Sequence, residues 1–159
     1  VFSFPDPVNE ISARLVAGGV VLLSLAAIVL AAPWLVVVIA YGFLARVLAG
    51  PRFSPLGQLV TRVITPCLAV APRPVPGPPK RFAQAIGAAF SVSAAVLAAG
   101  FGATVAADVV LGCLILAATL ESGFGFCLGC KLFAVLMRLG VVPAEMCERC
   151  NDIAAVTPQ

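Results

Sequence analysis

Two Cys-x-x-Cys pairs, Cys127-Leu-Gly-Cys130 and Cys147-Glu-Arg-Cys150, stand sixteen residues apart near the C-terminal end of this 159-residue chain. Four thiols at this spacing support two chemistries. The pattern Cys-x2-Cys-x16-Cys-x2-Cys falls in the range of tetrahedral zinc sites, where two tight turns each present two sulfurs at about 2.3 Å from the metal. The intervening chain is long enough. A helix from about Lys131 to Gly140 covers about 15 Å, and Val141 to Met146, if extended, returns about 20 Å. Zinc held by Cys127, Cys130, Cys147 and Cys150 would leave a charge near −2, with Lys131, Arg138 and Arg149 nearby in sequence to balance it. Such a site would staple the C-terminal segment to the bundle and shape a docking surface. This is the leading reading. The alternative is redox or sulfur handling. A Cys-x-x-Cys that starts a helix has its first thiol stabilised as thiolate by the helix dipole. Cys127 would then attack and Cys130 resolve, with the second pair passing electrons or sulfur onward. An iron–sulfur cluster uses the same ligand type.

The rest of the chain offers little competing chemistry. It contains no His, which removes Ser-His-Asp and Cys-His catalysis and His-ligated haem. No phosphate-binding Gly loop or dinucleotide fingerprint is present. Asp108 lies inside an apolar run, where carboxylates are costly and often functional. It supports a third reading, a small transporter or an accessory subunit of a membrane complex. Glu121 reads as a solvated helix terminus that could orient the cysteine turn, Gln84 as packing glue near an interface, and Cys67 and Cys113 as small apolar fillers.

The elements that must position these thiols are membrane helices. The chain is 62% hydrophobic and 11% charged, whereas soluble domains are nearer half apolar and a quarter charged. The expected fold is all-α: one integral membrane domain over 1–159, a four-helix bundle with spans at about 15–32, 33–48, 82–101 and 103–120. A cysteine-rich segment, 124–159, follows. Val1 to Ser12 reads as a polar leader. No cleavable signal is expected, because the first apolar run begins near Leu15 and is long enough to span. Trp34 suits the water boundary, and Arg46 would snorkel outward at the end of the second span. In the central loop, Ser54-Pro55 signals a helix start. Leu56, Leu59, Val60, Val63 and Ile64 then form a stripe at helical period that ends at Pro66, either lying in the membrane surface or packed on the bundle. Five prolines between Ala71 and Pro79 argue against helix and for an extended connector. In the third span Ala83, Gly87, Ser91, Ala95 and Ala99 recur every four residues, a seam for close helix approach. Lys131 to Gly140 reads as a short interfacial helix.

Arg14, Arg46, Arg52, Arg62, Arg73, Lys80, Arg81, Lys131, Arg138 and Arg149 all fall on one side if there are four spans. The positive-inside rule then places both termini in the cytoplasm. The expected location is a bacterial plasma (inner) membrane. The net charge of +3, gathered mostly in one loop, is a topology signal and not a nucleic-acid footprint. The expected partners are the lipid bilayer and a protein on the cytoplasmic side.

The segments Phe124-Gly-Phe-Cys-Leu-Gly-Cys130 and Pro79-Lys-Arg-Phe-Ala-Gln-Ala-Ile-Gly87 resemble those of a bacterial, largely actinobacterial, integral membrane family, domain-of-unknown-function family 4395. The resemblance runs from Asp6 to about Leu139. It implies a small four-span protein, sometimes associated with thioredoxin-like or sulfurtransferase partners, and no established activity. The residue after the first cysteine motif is often acidic in that family, but here it is Lys131.

Overall fold

The computed structural model describes residues 8–68, 74–75 and 77–141. Cys147 and Cys150, the first seven residues of the polar leader, Pro143 and residues 71–73 and 76 of the proline-rich run lie outside the described residues. The fold is an all-α helical bundle. Its long helices are α1 (Glu10–Val29), α2 (Pro33–Ala49), α4 (Gly77–Ala95, continued as a π-turn over Val96–Gly100) and α5 (Thr104–Phe124). A shorter helix, α3, occupies 55–68 between α2 and α4, and α6 (Leu128–Arg138) follows α5. Three helices, α1, α4 and α5, are long and apolar enough to cross a membrane. The apolar α2 is shorter, at 17 residues. Many large apolar side chains face outward, among them Leu22, Val29, Val105 and Leu116. That is costly in water and neutral against lipid tails.

The helix starts differ from the expected spans for local reasons. Asn9 caps α1, its Oδ1 accepting the Ile11 amide at 3.1 Å, so the helix begins five residues before Leu15. Helix α4 begins at Gly77 and takes Pro78 and Pro79 into its first turn. Prolines are tolerated there, because first-turn amides have no intrahelical partner to lose. The remainder of that run contributes Pro74–Val75, paired antiparallel with Val8–Asn9 in a two-residue ladder.

Helix α3 starts where expected, with Ser54 Oγ accepting the Gly57 amide at 3.2 Å, but it does not stop at Pro66. The helix widens into a π-turn over Val60–Ile64 and continues through Thr65–Leu68. A wider turn relieves the clash between a proline ring and the carbonyl four residues back. Its stripe packs on the bundle along one edge. Val60 is fully buried, Leu56 lies against Gly19, and Thr65 Oγ1 meets Ser12 Oγ at 2.9 Å. Leu59 and Val63 stay exposed.

The core lies where α1, α2, α4 and α5 meet. Val20, Ile39, Phe43, Ala94, Leu111 and Leu114 fill it. The small-residue seam of α4 works within the chain. At Gly87 a Cβ would come within 2.3 Å of the Phe43 ring, so glycine there lets α2 and α4 pack ring against backbone. Consecutive helices reverse direction. One end of the bundle therefore gathers the start of α1, the ends of α2 and α5, and the starts of α4 and α6. The short turns at the other end, Leu30–Ala32 and Phe101–Ala103, carry no basic residue.

Candidate functional site

The first cysteine pair sits at the basic end. Helix α5 closes on Gly125, whose φ of +68° is a left-handed conformation open to glycine. The chain then folds back, with the Phe126 amide on the Leu120 carbonyl at 3.1 Å. From α1, the Arg14 guanidinium reaches the Ser122 carbonyl at 3.2 Å and the Gly123 carbonyl at 3.1 Å. It satisfies carbonyls that the ending helix leaves without partners and sets a positive charge at the negative end of the helix dipole. That clamp fixes the point from which α6 departs.

Cys127 is the N-cap of α6, and its Sγ accepts the Cys130 amide at 3.4 Å. Cys127 is buried, Cys130 is half-buried, and both are free thiols. Gly129 explains how the motif lies so deep. A Cβ there would stand 2.5 Å from both Cα and Cβ of Ala83. The first turn of α6 thus rests directly on the α4 backbone, and Phe133 packs on Phe82 with ring centroids 5.6 Å apart.

Charged side chains surround the pair. Lys80 Nζ and Glu121 Oε1 form an ion pair at 2.5 Å, with side chains only 8% and 15% exposed. Glu121 is therefore not a solvated terminus. It is buried against Lys80 because α4 and α5 bring the two together across 41 residues of sequence. Arg46 does not snorkel outward either. It is 5% exposed, donating through Nε to Gln84 Oε1 and through Nη1 to Ser54 Oγ, each at 2.9 Å, and stacking on Phe43 at 4.6 Å. Three inward partners outweigh an outward path for a guanidinium placed one turn before the end of α2. Gln84 is accordingly the polar anchor of Arg46.

These surroundings separate the two thiols. The hydrogen bond from the Cys130 side chain holds Cys127 below the ordinary thiol range. Burial and the Glu121 carboxylate oppose it, and the Lys80 ammonium and the Cys130 amide reinforce it. The same hydrogen bond, together with burial and the Cys127 charge, pushes Cys130 well up. The result is a first sulfur shifted toward the thiolate and a neighbour that holds its proton more tightly.

Cys127 also lines a cavity of about 330 Å³. Arg46, Gln84, Glu121 and Cys127 stand at one end of it, and Val20, Phe90 and Leu114 are among its apolar walls. Sequence reading singled out Cys127 and Cys130 but missed Lys80 and Arg46 as members of the site. Their only signal was position beside an apolar helix. Cys113 lines the cavity and Cys67 is exposed, so neither is a core filler. Asp108 is exposed on α5 and does not line the cavity. Among the described residues no cluster of three or more Cys, Asp or Glu stands close enough to hold a metal ion. A four-thiolate set would need Cys147 and Cys150.

An all-α membrane bundle carrying a partly buried dithiol at the capped start of a short helix is the class that fold and site define. The chain belongs to the family described as domain of unknown function DUF4395, which matches residues 8–138. No curated protein and no solved structure matches it.

Proposed function

We propose that this protein is a membrane dithiol that exchanges electrons with a protein partner through Cys127 and Cys130. The observation that carries this reading is the asymmetry of the pair. The Cys127 sulfur accepts the Cys130 amide and is flanked by Lys80, while Cys130 holds its proton more tightly beside it. In exchange, the Cys127 thiolate attacks one sulfur of a partner disulfide. A Cys127–partner S–S bond forms, and the other partner sulfur leaves as a thiolate. Cys130 loses its proton and attacks Cys127, and the partner's second sulfur departs. The partner disulfide is now two thiols, and Cys127–Cys130 is a disulfide. The reverse steps oxidise a partner dithiol. The basic end of the bundle, where Arg14, Arg46, Lys80 and Arg81 make their contacts, faces the cytoplasm of a bacterial plasma membrane in this reading. A thioredoxin-like or sulfurtransferase protein suits the chemistry as partner.

A Cys130→Ser variant tests it. Without the resolving thiol, a mixed disulfide through Cys127 accumulates and is released by dithiothreitol. If no partner is captured and a mild oxidant such as diamide cannot join Cys127 to Cys130 reversibly, the reading fails. A second reading, a structural zinc held by Cys127, Cys130, Cys147 and Cys150, is favoured by the same Cys130 amide-to-sulfur contact, since a metal-bound thiolate accepts such bonds. One zinc per chain by elemental analysis, with thiols unreactive until chelation, would replace the redox reading with this one.

A further inference from the structure

We propose that the cavity beside Cys127 is the headgroup site of a lipid-borne quinone, to which the Cys127–Cys130 dithiol delivers two electrons. This rests on the redox reading above and names the acceptor for the same site. Three observations support it. The first is the cavity's shape. Its lining runs from Ala13 to Val20 on α1 and from Cys113 to Glu121 on α5, which is about 10–12 Å at the helical rise. Its volume of about 330 Å³ sits at the low end of the range of about 300–1,000 Å³ for small-molecule sites. That suits a ring and the start of its tail.

The second is the cavity's polarity, which is graded. The polar side chains stand at the thiol end, and aliphatic and aromatic walls lie deeper in the bundle. A polar ring on a hydrocarbon tail matches this gradient, and a water-soluble substrate does not. The third is the hydrogen-bonding inventory. Quinone oxygens only accept, so they require donors. Arg46 spends Nε and Nη1 on Gln84 and Ser54, and its Nη2 makes no hydrogen bond among the described residues. Gln84 uses its carbonyl oxygen on Arg46, which leaves its amide nitrogen to donate. Both residues line the cavity with Cys127.

The chemistry balances. The Cys127 thiolate and the Cys130 thiol give up two electrons and the Cys130 proton and form one S–S bond, and with that proton and one more from water at the open end of the cavity the two quinone carbonyls become hydroxyls. A partner dithiol, exchanging with the new disulfide, restores the pair for the next turnover. Membrane thiol oxidation can drain to quinones in this way.

The test uses the full chain, reduced, freed of reductant and placed in lipid nanodiscs, mixed anaerobically with decylubiquinone. The expected result is one quinone reduced per chain, with Cys127 joined to Cys130 in the peptide map. Ala117→Phe, which fills the cavity, should slow the reduction at least tenfold, and Gln84→Leu should slow it as well. A photoreactive azidoquinone on the wild-type protein should label cavity residues on α4 or α5, a readout independent of how either variant folds. Unchanged rates in both variants, or labelling confined to outward-facing residues, would overturn the assignment. If diamide oxidises the pair reversibly and decylubiquinone does not, the quinone site is wrong and the dithiol reading stands. If neither oxidises it and Cys130→Ser captures no partner, both fall.

Discussion

Adding one methyl group at Gly129 should damage this protein more than its size suggests. Gly129 has no positive φ to protect. Its role is contact, and the magnitude follows from the distances. An added Cβ would meet Ala83 Cα and Cβ at 2.5 Å, whereas carbon atoms settle at about 3.5–4.0 Å, so α6 must retreat from α4 by about 1–1.5 Å. Overpacking of this kind costs about 1–3 kcal/mol. The same shift carries Cys127 and Cys130 off their present seats, and a misplacement of about 1 Å can cost a reaction about a hundredfold. Gly129→Ala should therefore lower the thermal midpoint in detergent and slow thiol exchange together. Ala83→Gly should not rescue it, because Ala83 Cα remains in the way. Gly112 supplies the control. A Cβ there meets nothing within 4 Å, and Gly112→Ala should leave the midpoint level or raise it, by up to about 1 kcal/mol of helix propensity. The assay is a melt of each purified variant alongside the rate of Cys127 modification. If Gly129→Ala matched the wild type in both, the close docking of α6 on α4 would be refuted.

Breaking the Lys80–Glu121 pair with Glu121→Gln takes the carboxylate from a buried ammonium and should cost up to about 3–5 kcal/mol, less whatever the neighbouring Cys127 charge offsets, read from the same melts. Because Glu121 raises the Cys127 pKa, the variant's Cys127 should nevertheless be the more reactive thiol at pH 7. Iodoacetamide labelling of Cys127 should rise with pH with a midpoint below the usual thiol value of about 8.5, since rate follows thiolate fraction. Cys130→Ala should move that midpoint up further than Lys80→Met, because the Cys130 hydrogen bond is the larger cause. Cys130 itself should stay unlabelled across this range, as mass spectrometry of the peptides would show. Ser24 Oγ is buried without a hydrogen-bond partner among the described residues. Ser24→Ala should stabilise the bundle by about 1 kcal/mol in a thermal melt.

Much of this was legible from local pattern. The apolar run lengths of α1, α4 and α5 declare helices in lipid. Ser54-Pro55 declares the start of α3, and Cys127 lies where a helix cap belongs. The gathering of Arg14, Arg46, Lys80 and Arg81 at one end follows from counting reversals. These features depend on residues a few positions apart, where periodicity and capping act. Helix α4 starts earlier than its apolar run because first-turn prolines are compatible with helix. Helix α3 outlasts Pro66 because a π-turn absorbs the ring.

The sequence by itself determined that the chain is a helical membrane protein and that Cys127 and Cys130 share one turn. Only the tertiary structure decided what those thiols face. Arg46 meets Gln84 across 38 residues and Lys80 meets Glu121 across 41. Gly129 meets Ala83 because two helices dock at that height. No propensity or spacing rule records such pairings. They arise because a guanidinium, an ammonium and a carboxylate brought into an apolar bundle each need a hydrogen-bonding or oppositely charged partner, and it is helix packing that selects which groups meet.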